Sequence, residues 1–412
     1  MDMMTPAKNL LNPSDPIDAI IMRQQHGRAL DQAFYSDPAI FKRDMERLYR
    51  RHWLVAGHVG QIPNPGDFFQ THIESDAIII TRAMDGSVHA LINSCRHRGA
   101  HVCTKEQGNA RAFTCPYHGW AYGLDGKCLA AREMPKEFDK SAHGLHELPC
   151  KVIQGLIFIT LAKNPLSTKN LEASVNESFA PYDWANAKVA HRESYLIQAN
   201  WKLTVENYVE CYHCAPAHPE YAALHAIEQP LDKIEELTKK MYDDSAKCGV
   251  MSKTESQWNT SDSGEEAVYR LRYALYEGAV TGSHDGKPVA PLMGGLKDYN
   301  VGATSSHVGG MNFLLAYPDH GVIYRFMPKS QQVSEMEVIW LVRGDAVEGK
   351  DYKKDDVTWL WIVTSDADKK ITEWNQAGVN STYYKPGPLS PMEYNEKRWL
   401  DWYLAELAFD GR

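Results

Sequence analysis

The stretch that decides the fold is Cys95-Arg96-His97, continuing Arg98-Gly99, and, after 17 residues counted from His97, Cys115-Pro116-Tyr117-His118-Gly119-Trp120. The sequence around it reads as short strands. Ala77–Thr81 and Val88–Ile92 are apolar runs flanking Asp85-Gly86, the pattern of a β-hairpin. Tyr122-Gly123-Leu124-Asp125-Gly126 marks a second hairpin. Residues 45–160 therefore read as a small all-β domain, with each Cys/His pair on a loop between strands. Gly99 and Gly119 let the backbone pass close to whatever the pairs hold.

One thiolate and one imidazole on each of two facing loops can ligate two metals unequally. In a Rieske [2Fe–2S] centre two cysteines hold one iron and two histidines the other. The spacing thus assigns Cys95, His97, Cys115 and His118 to such a cluster. The competing reading is a structural Cys₂His₂ zinc site. Zinc fingers usually pair Cys with Cys and His with His, which argues against it. Tyr117 leaves Cys103 without a cysteine partner in the second loop, so no cluster-side disulfide is expected. Cys103 is expected to be a small buried apolar residue.

Composition agrees with a soluble globular chain. The 412 residues are 43% hydrophobic and 24% charged, with a net charge of −9. That length suits two or three domains. The acidic balance, with acid and base mixed along the chain, argues against nucleic acid or an anionic membrane surface as the main partner. No run of 18 apolar residues is present, and Met1–Pro16 lack a basic-then-apolar leader pattern. A cytoplasmic location is expected, where eight cysteines would not build a disulfide framework.

The second group of metal-binding residues lies further on. Asn200–Tyr212 reads as helical and runs into His213-Cys214-Ala215-Pro216-Ala217-His218. Seven residues separate Glu206 from His213, which places both on one helix face. Pro216 disfavours helix at Ala215, so the chain is expected to turn there and bring His218 beside His213. Two imidazoles and one carboxylate that leave positions open for O₂ are the facial triad of non-haem Fe(II) oxygenases. Asp368, in the first turn of a helix expected over Asp366–Ala377 and stopped by Gly378, is the chosen third ligand. Asp366 is the fallback, better suited to cap that helix. Glu210, three residues before His213, can accept the second N–H of a metal-bound imidazole.

Elsewhere, Ser36-Asp37-Pro38 starts a helix and Ser390-Pro391-Met392-Glu393 is a capping box. Met251–Gly264 reads as a polar surface loop. Met311–Tyr317, Val322–Met327 and Met336–Val342 read as antiparallel strands, the first two joined at Asp319-His320-Gly321. The fold class is α+β: the all-β domain plus a catalytic domain whose antiparallel sheet is flanked by helices. The expected division is an N-terminal helical segment, 1–44, packing on the catalytic domain; the cluster domain, 45–160; and the iron domain, 161–412.

With these motifs, to which Glu210-Cys211-Tyr212-His213 and the segment Asp368–Gln376 belong, the whole chain resembles the α subunit of Rieske non-haem iron oxygenases. The resemblance implies a head-to-tail homotrimer in which the cluster of one subunit faces the mononuclear iron of its neighbour. Glu210 then bridges the two sites, where ring-hydroxylating members usually have aspartate. Glu206–His213, and Tyr383–Ser390, are similar to the branch acting on quaternary ammonium compounds: stachydrine (proline betaine) demethylase, glycine betaine and carnitine monooxygenases, and choline monooxygenase. The implied reaction is hydroxylation of an N-methyl group with loss of formaldehyde, stachydrine being the leading substrate. Electrons from NAD(P)H must come through a separate reductase, because the chain has neither a Gly-rich dinucleotide fingerprint nor all-Cys ferredoxin spacing. Aromatic rings are the expected cage for such a cation, with 11 Trp and 21 Tyr to draw on. The alternatives are an aromatic-ring dioxygenase and, in a different class, a Rieske electron carrier without oxygenase activity.

Overall fold

The structure is a computed structural model that describes residues 11–226, 231–251, 253–254 and 261–409. Of the expected 251–264 loop, residues 252 and 255–260 lie outside this set.

Three helices, α1 (Pro16–Arg23), α2 (Gln32–Ser36) and α3 (Pro38–Asp44), open the described chain. Asp37 caps α3 and Pro38 takes its first position, as the sequence requires. The β domain follows. Strands β1 (Leu54–His58), β2 (Asp67–Ile73), β3 (Asp76–Arg82), β4 (Val88–Ile92) and β5 (Gln107–Asn109) are followed by β6 (Phe113–Thr114), β7 (Ala121–Tyr122), β8 (Cys128–Ala130), β9 (Glu147–Leu148), β10 (Cys150–Ile153) and β11 (Leu156–Ile159). They form antiparallel sheets in the orders β5-β2-β3-β4-β9, β6-β7-β8 and β1-β11-β10. Phe68, Ile79, Leu91, Trp120 and Tyr122 pack into a core of their own.

After α4 (Lys169–Phe179) comes a six-stranded antiparallel sheet. Its strands are β12 (Lys188–Ile197), β13 (Val268–Tyr273), β14 (Ala303–Val308), β15 (Asn312–Ala316), β16 (Gly321–Ser330) and β17 (Val333–Val342), in the order β12-β17-β16-β15-β14-β13. Alternate residues feed two cores. Phe313, Leu315, Tyr324, Phe326 and Val338 face one, and Leu314, Ile323, Ile339 and Leu341 face the other. Both faces are covered, which is why β14 and β15 are buried throughout.

The helices over the first face carry the iron-site candidates. They are α5 (Trp201–Val209), α6 (Cys214–Ala217), α7 (Pro219–Ala222), α9 (Lys354–Val379) and α10 (Tyr394–Ala408); α8 (Leu231–Lys247) lies between. Trp201 anchors α5 edge-to-face against Trp399 and Tyr403 of α10, at 5.9 and 6.0 Å between centroids. The fully buried Lys202 pairs with Asp44 at the end of α3, and Tyr403 donates to the same carboxylate at 2.8 Å. The β domain is tied to the sheet by Arg325, which donates to the Val55 carbonyl at 2.5 Å and the Thr71 hydroxyl at 2.8 Å. A buried imidazole between two carboxylates, His52 with Glu266 at 2.7 Å and Glu406 at 3.4 Å, joins the entrance of the β domain to β13 and α10.

Four local expectations need correction. The helix expected over Asn200–Tyr212 stops at Val209, because Glu210 turns extended (φ −126°, ψ 163°) and spends its carboxylate on backbone N–H groups ahead of it. Glu206 and His213 consequently share no helix face; Glu206 is buried and accepts the Tyr35 hydroxyl at 2.9 Å. Ala215 and Pro216 lie inside α6, and the break falls at His218 (φ −145°), the residue before Pro219. The Asp366–Ala377 helix begins at Lys354 and runs through Gly378 to Val379.

Candidate active site

The two Cys/His loops are built alike. In the first, Gly99 N–H donates to the Cys95 carbonyl and Cys95 N–H to Ala100, both at 2.8 Å. In the second, Gly119 donates to Cys115 at 3.0 Å and Cys115 to Trp120 at 2.7 Å. Both glycines have positive φ, 80° and 74°, which closes each five-residue turn. The loops place Cys95 and Cys115 inside, 4% and 2% exposed. His97 and His118 sit at the surface edge with ring centroids 4.7 Å apart. Thiolates inside and imidazoles at the rim are the donor arrangement a Rieske cluster requires.

Tyr122 reaches the same site from β7. Its hydroxyl accepts Arg96 N–H at 3.0 Å and lies 3.2 Å from Cys95 Sγ. With its acceptor side engaged, the hydroxyl proton points to the sulfur. Burial raises the phenol pKa, so it keeps that proton. Cys103 is buried and free, as expected. One disulfide occurs among the described residues, Cys211–Cys214, remote in sequence from the cluster loops.

At the second site His213 and His218 flank the single turn of α6, and their rings meet edge-to-face at 5.0 Å. Asp368 approaches from α9, its Oδ1 3.3 Å from His213 Nε2 and 3.6 Å from His218 Nδ1. Asp368 Oδ1 and His218 Nδ1 are buried without hydrogen-bond partners. Such atoms are costly unless something binds them, and three lone pairs converging on one point suit a metal. Cys214 Sγ is within 4.8 Å of the imidazole nitrogens, but its disulfide removes it as a ligand. Asp366, the fallback ligand, is exposed on α9 and does not join the group. It also caps nothing, since α9 begins twelve residues earlier, at Lys354.

Glu210 holds His213 from behind, Oε1 to Nδ1 at 2.5 Å. Burial opposes a charge on His213, yet Asp368 and Glu210 together raise its pKa to about 9. That proton is the one a metal would displace. Burial pushes His218 the other way, below its ordinary value.

Two cavities meet at Asn207, Glu210 and His213. One, of about 320 Å³, is acidic and includes Glu206, Glu210, Glu393 and Glu396. Burial raises Glu206 to about 7, and burial with Glu206 raises Glu396 to about 10. The other, of about 220 Å³, opens on the two histidines and Asp368 and is lined by Tyr208, Tyr221, Tyr273, Tyr324 and Trp361. The sequence did not single out these rings. Trp361 precedes Asp368 by two helical turns, a signal hidden by the misplaced start of α9.

Comparison with known proteins agrees with this geometry. Residues 52–150 match the Rieske [2Fe-2S] domain, and residues 184–408 the ring hydroxylating alpha subunit (catalytic domain). The chain belongs to the Rieske non-haem iron oxygenases, in the ring-hydroxylating α-subunit family. It is an oxidoreductase with a Rieske [2Fe–2S] domain and a mononuclear iron domain. The glycine betaine monooxygenase oxygenase subunit of Pseudomonas aeruginosa is 35% identical over 411 residues, covering 96% of this chain and 93% of that protein. The carnitine monooxygenase oxygenase subunit of Escherichia coli K12 is 32% identical over 204 residues, 48% of this chain and 54% of that protein. Among solved structures, the quaternary ammonium Rieske monooxygenase CntA superposes with a TM-score of 0.71 at 18% identity, covering 94% and 97% of the two chains. A Rhodococcus naphthalene 1,2-dioxygenase gives 0.69 at 19%, covering 93% and 95%. At such identities these likenesses speak for the fold alone. No helix among the described residues is long and apolar enough to cross a membrane.

Proposed function

We propose that this oxygenase hydroxylates an N-methyl group of a small quaternary ammonium substrate. The hydroxylated carbon then leaves as formaldehyde. Glycine betaine and proline betaine are the leading candidates, the first supported by the full-length relatives and the second by overall sequence resemblance alone. The carrying observation is the cavity beside His213, His218 and Asp368: small, at about 220 Å³, and walled by aromatic rings. Ligand pockets commonly span about 300–1,000 Å³, so this one suits a compact betaine better than a fused-ring arene. A quaternary ammonium has no N–H to donate, and aromatic faces are what attract it.

Cys95, His97, Cys115 and His118 hold the cluster in this reading, and His213, His218 and Asp368 the mononuclear iron, which supplies O₂ activation when bound. Glu210 orients His213 and carries the electron from a neighbouring subunit. Two features support that role: its side chain borders the acidic cavity, and the cluster histidines lie at the surface edge. The assembly is a head-to-tail homotrimer in the cytoplasm, supplied from NAD(P)H by a separate reductase. The domain division is 1–44, 45–160 and 161–412.

The test is the wild-type oxygenase with a reductase and a panel of betaines, carnitine, choline and simple aromatics, following formaldehyde and NAD(P)H together. Formaldehyde stoichiometric with NAD(P)H for a betaine supports the reading. A cis-diol from an arene, with no formaldehyde from any ammonium compound, overturns it.

A further inference from the structure

Behind the aromatic cavity lies a buried carboxylate–imidazole pair that the chemistry above does not use. Asp319 and His320 are fully buried in the connection between β15 and β16. The sequence marks this connection as a turn, where such groups would ordinarily be solvated. His320 Nδ1 is 2.8 Å from Asp319 Oδ1. The same oxygen accepts the Thr281 hydroxyl at 2.5 Å, and Oδ2 accepts Val289 N–H at 2.9 Å. On its other side, His320 Nε2 accepts the indole N–H of Trp361 at 3.0 Å. Tyr317 stacks on His320 at 5.1 Å and 10°.

The proton inventory fixes the direction of this chain. An indole nitrogen only donates, so His320 Nε2 must be the acceptor. The imidazole proton is then on Nδ1 and goes to Asp319. A doubly protonated His320 would set two donors against each other at 3.0 Å. Two buried polar groups, each costly to desolvate, thus converge on one edge of one pocket-lining ring.

Trp361 is that ring. It lies on α9 seven residues before Asp368, hence on the same face and about 10 Å along the axis. A cation–π contact acts within about 6 Å of the ring centroid, and a reacting methyl needs to lie about 3–3.5 Å from its partner. An ammonium between the iron ligands and Trp361 satisfies both. Tying the N–H edge to His320 keeps that positive edge of the indole against the imidazole. The carboxylate behind the imidazole polarises that bond and enriches the ring face.

We propose that Asp319 and His320 are positioning residues that fix and polarise Trp361 as the cation-binding face of the substrate pocket. The proposal rests on the quaternary-ammonium reading and deepens it. Its test compares glycine betaine and proline betaine with carbon isosteres that keep the carboxylate but lack the cationic centre, 3,3-dimethylbutyrate and 2,2-dimethylcyclopentanecarboxylate. Dissociation constants are measured calorimetrically on the metal-loaded oxygenase. Wild type prefers the better-bound betaine over its isostere. Asp319→Asn, His320→Leu and Trp361→Phe each reduce that preference about five-fold or more, moving isostere affinity less than two-fold. His320→Gln, which keeps an acceptor, restores part of it, and Asp319→Asn adds nothing in a Trp361→Phe background. If His320→Leu does not fold, the near-isosteric Asp319→Asn and Trp361→Phe carry the test. Equal losses for betaine and isostere would reduce the pair to a structural support and overturn the proposal. A wild type with no preference for either betaine would instead remove the quaternary-ammonium reading beneath it.

Discussion

Replacing Tyr122 by phenylalanine should lower the reduction potential of the cluster by about 40–60 mV. The hydroxyl stands 3.2 Å from Cys95 Sγ and donates to it, because its own oxygen already accepts Arg96 N–H. A hydrogen bond to a charged acceptor contributes about 1.5–3 kcal/mol. Only the part that grows when the cluster gains an electron affects the potential, and we take about 1–1.4 kcal/mol. For a one-electron couple, about 1.4 kcal/mol corresponds to about 59 mV. The sign follows from charge: the donor favours the more negative, reduced state, so removing it makes reduction harder. The phenyl ring keeps the buried packing, so the cluster should assemble normally, although Arg96 N–H loses its partner. Anaerobic redox titration of the cluster followed by EPR measures the shift. An unchanged potential, or one that rises, would refute the assigned direction of the hydrogen bond.

Further outcomes follow from other contacts. Glu210→Gln keeps an acceptor for His213 Nδ1 but removes the negative charge; it should keep both metal centres but slow single-turnover reoxidation of the cluster, by about 10–100-fold, the range seen when a partner of a metal ligand is altered, and unchanged stopped-flow traces would exclude Glu210 as the electron bridge. His52 is buried, which by itself lowers its pKa, but Glu266 and Glu406 raise it to about 10 against an ordinary 6.5. A folded-state value above the unfolded one stabilises fully below about pH 6.5 and is lost progressively as pH rises to about 10. Wild type should therefore lose melting temperature across that window more steeply than His52→Gln, and parallel curves would contradict the assignment.

The two Cys/His loops are legible because each pair is local: it sits within three or four residues of chain, and a turn that short leaves few geometries. His213 and His218 were legible for the same reason, but the path between them was not. The sequence suggests a break at Pro216, whereas the residue forced out of helix is His218, before Pro219. The sequence points to Asp368 as a partner of the two histidines, and the structure sets it beside them, but in a helix that starts earlier than the sequence suggests. The run Trp359-Leu360-Trp361-Ile362-Val363 is apolar on consecutive positions, which hides a helical period when a helix is buried on more than one side. Tertiary packing against α5 and the sheet makes it helical. Asp366 thereby changes from a cap to an exposed mid-helix acid. Nothing local could place Tyr208, Tyr221 and Tyr324 around one cavity, since three separate elements supply them. The Asp319-His320 connection looks like an ordinary turn in the sequence because its partner, Trp361, lies 41 residues beyond His320.

The most direct test of the whole account is the metal and acid-labile sulfide content of anaerobically purified wild type beside Asp368→Ala. The account predicts iron in excess of the [2Fe–2S] cluster in wild type, and loss of only that excess in the variant, with the EPR signal of the reduced cluster intact. Zinc in place of iron, or an excess that survives Asp368→Ala, would contradict it.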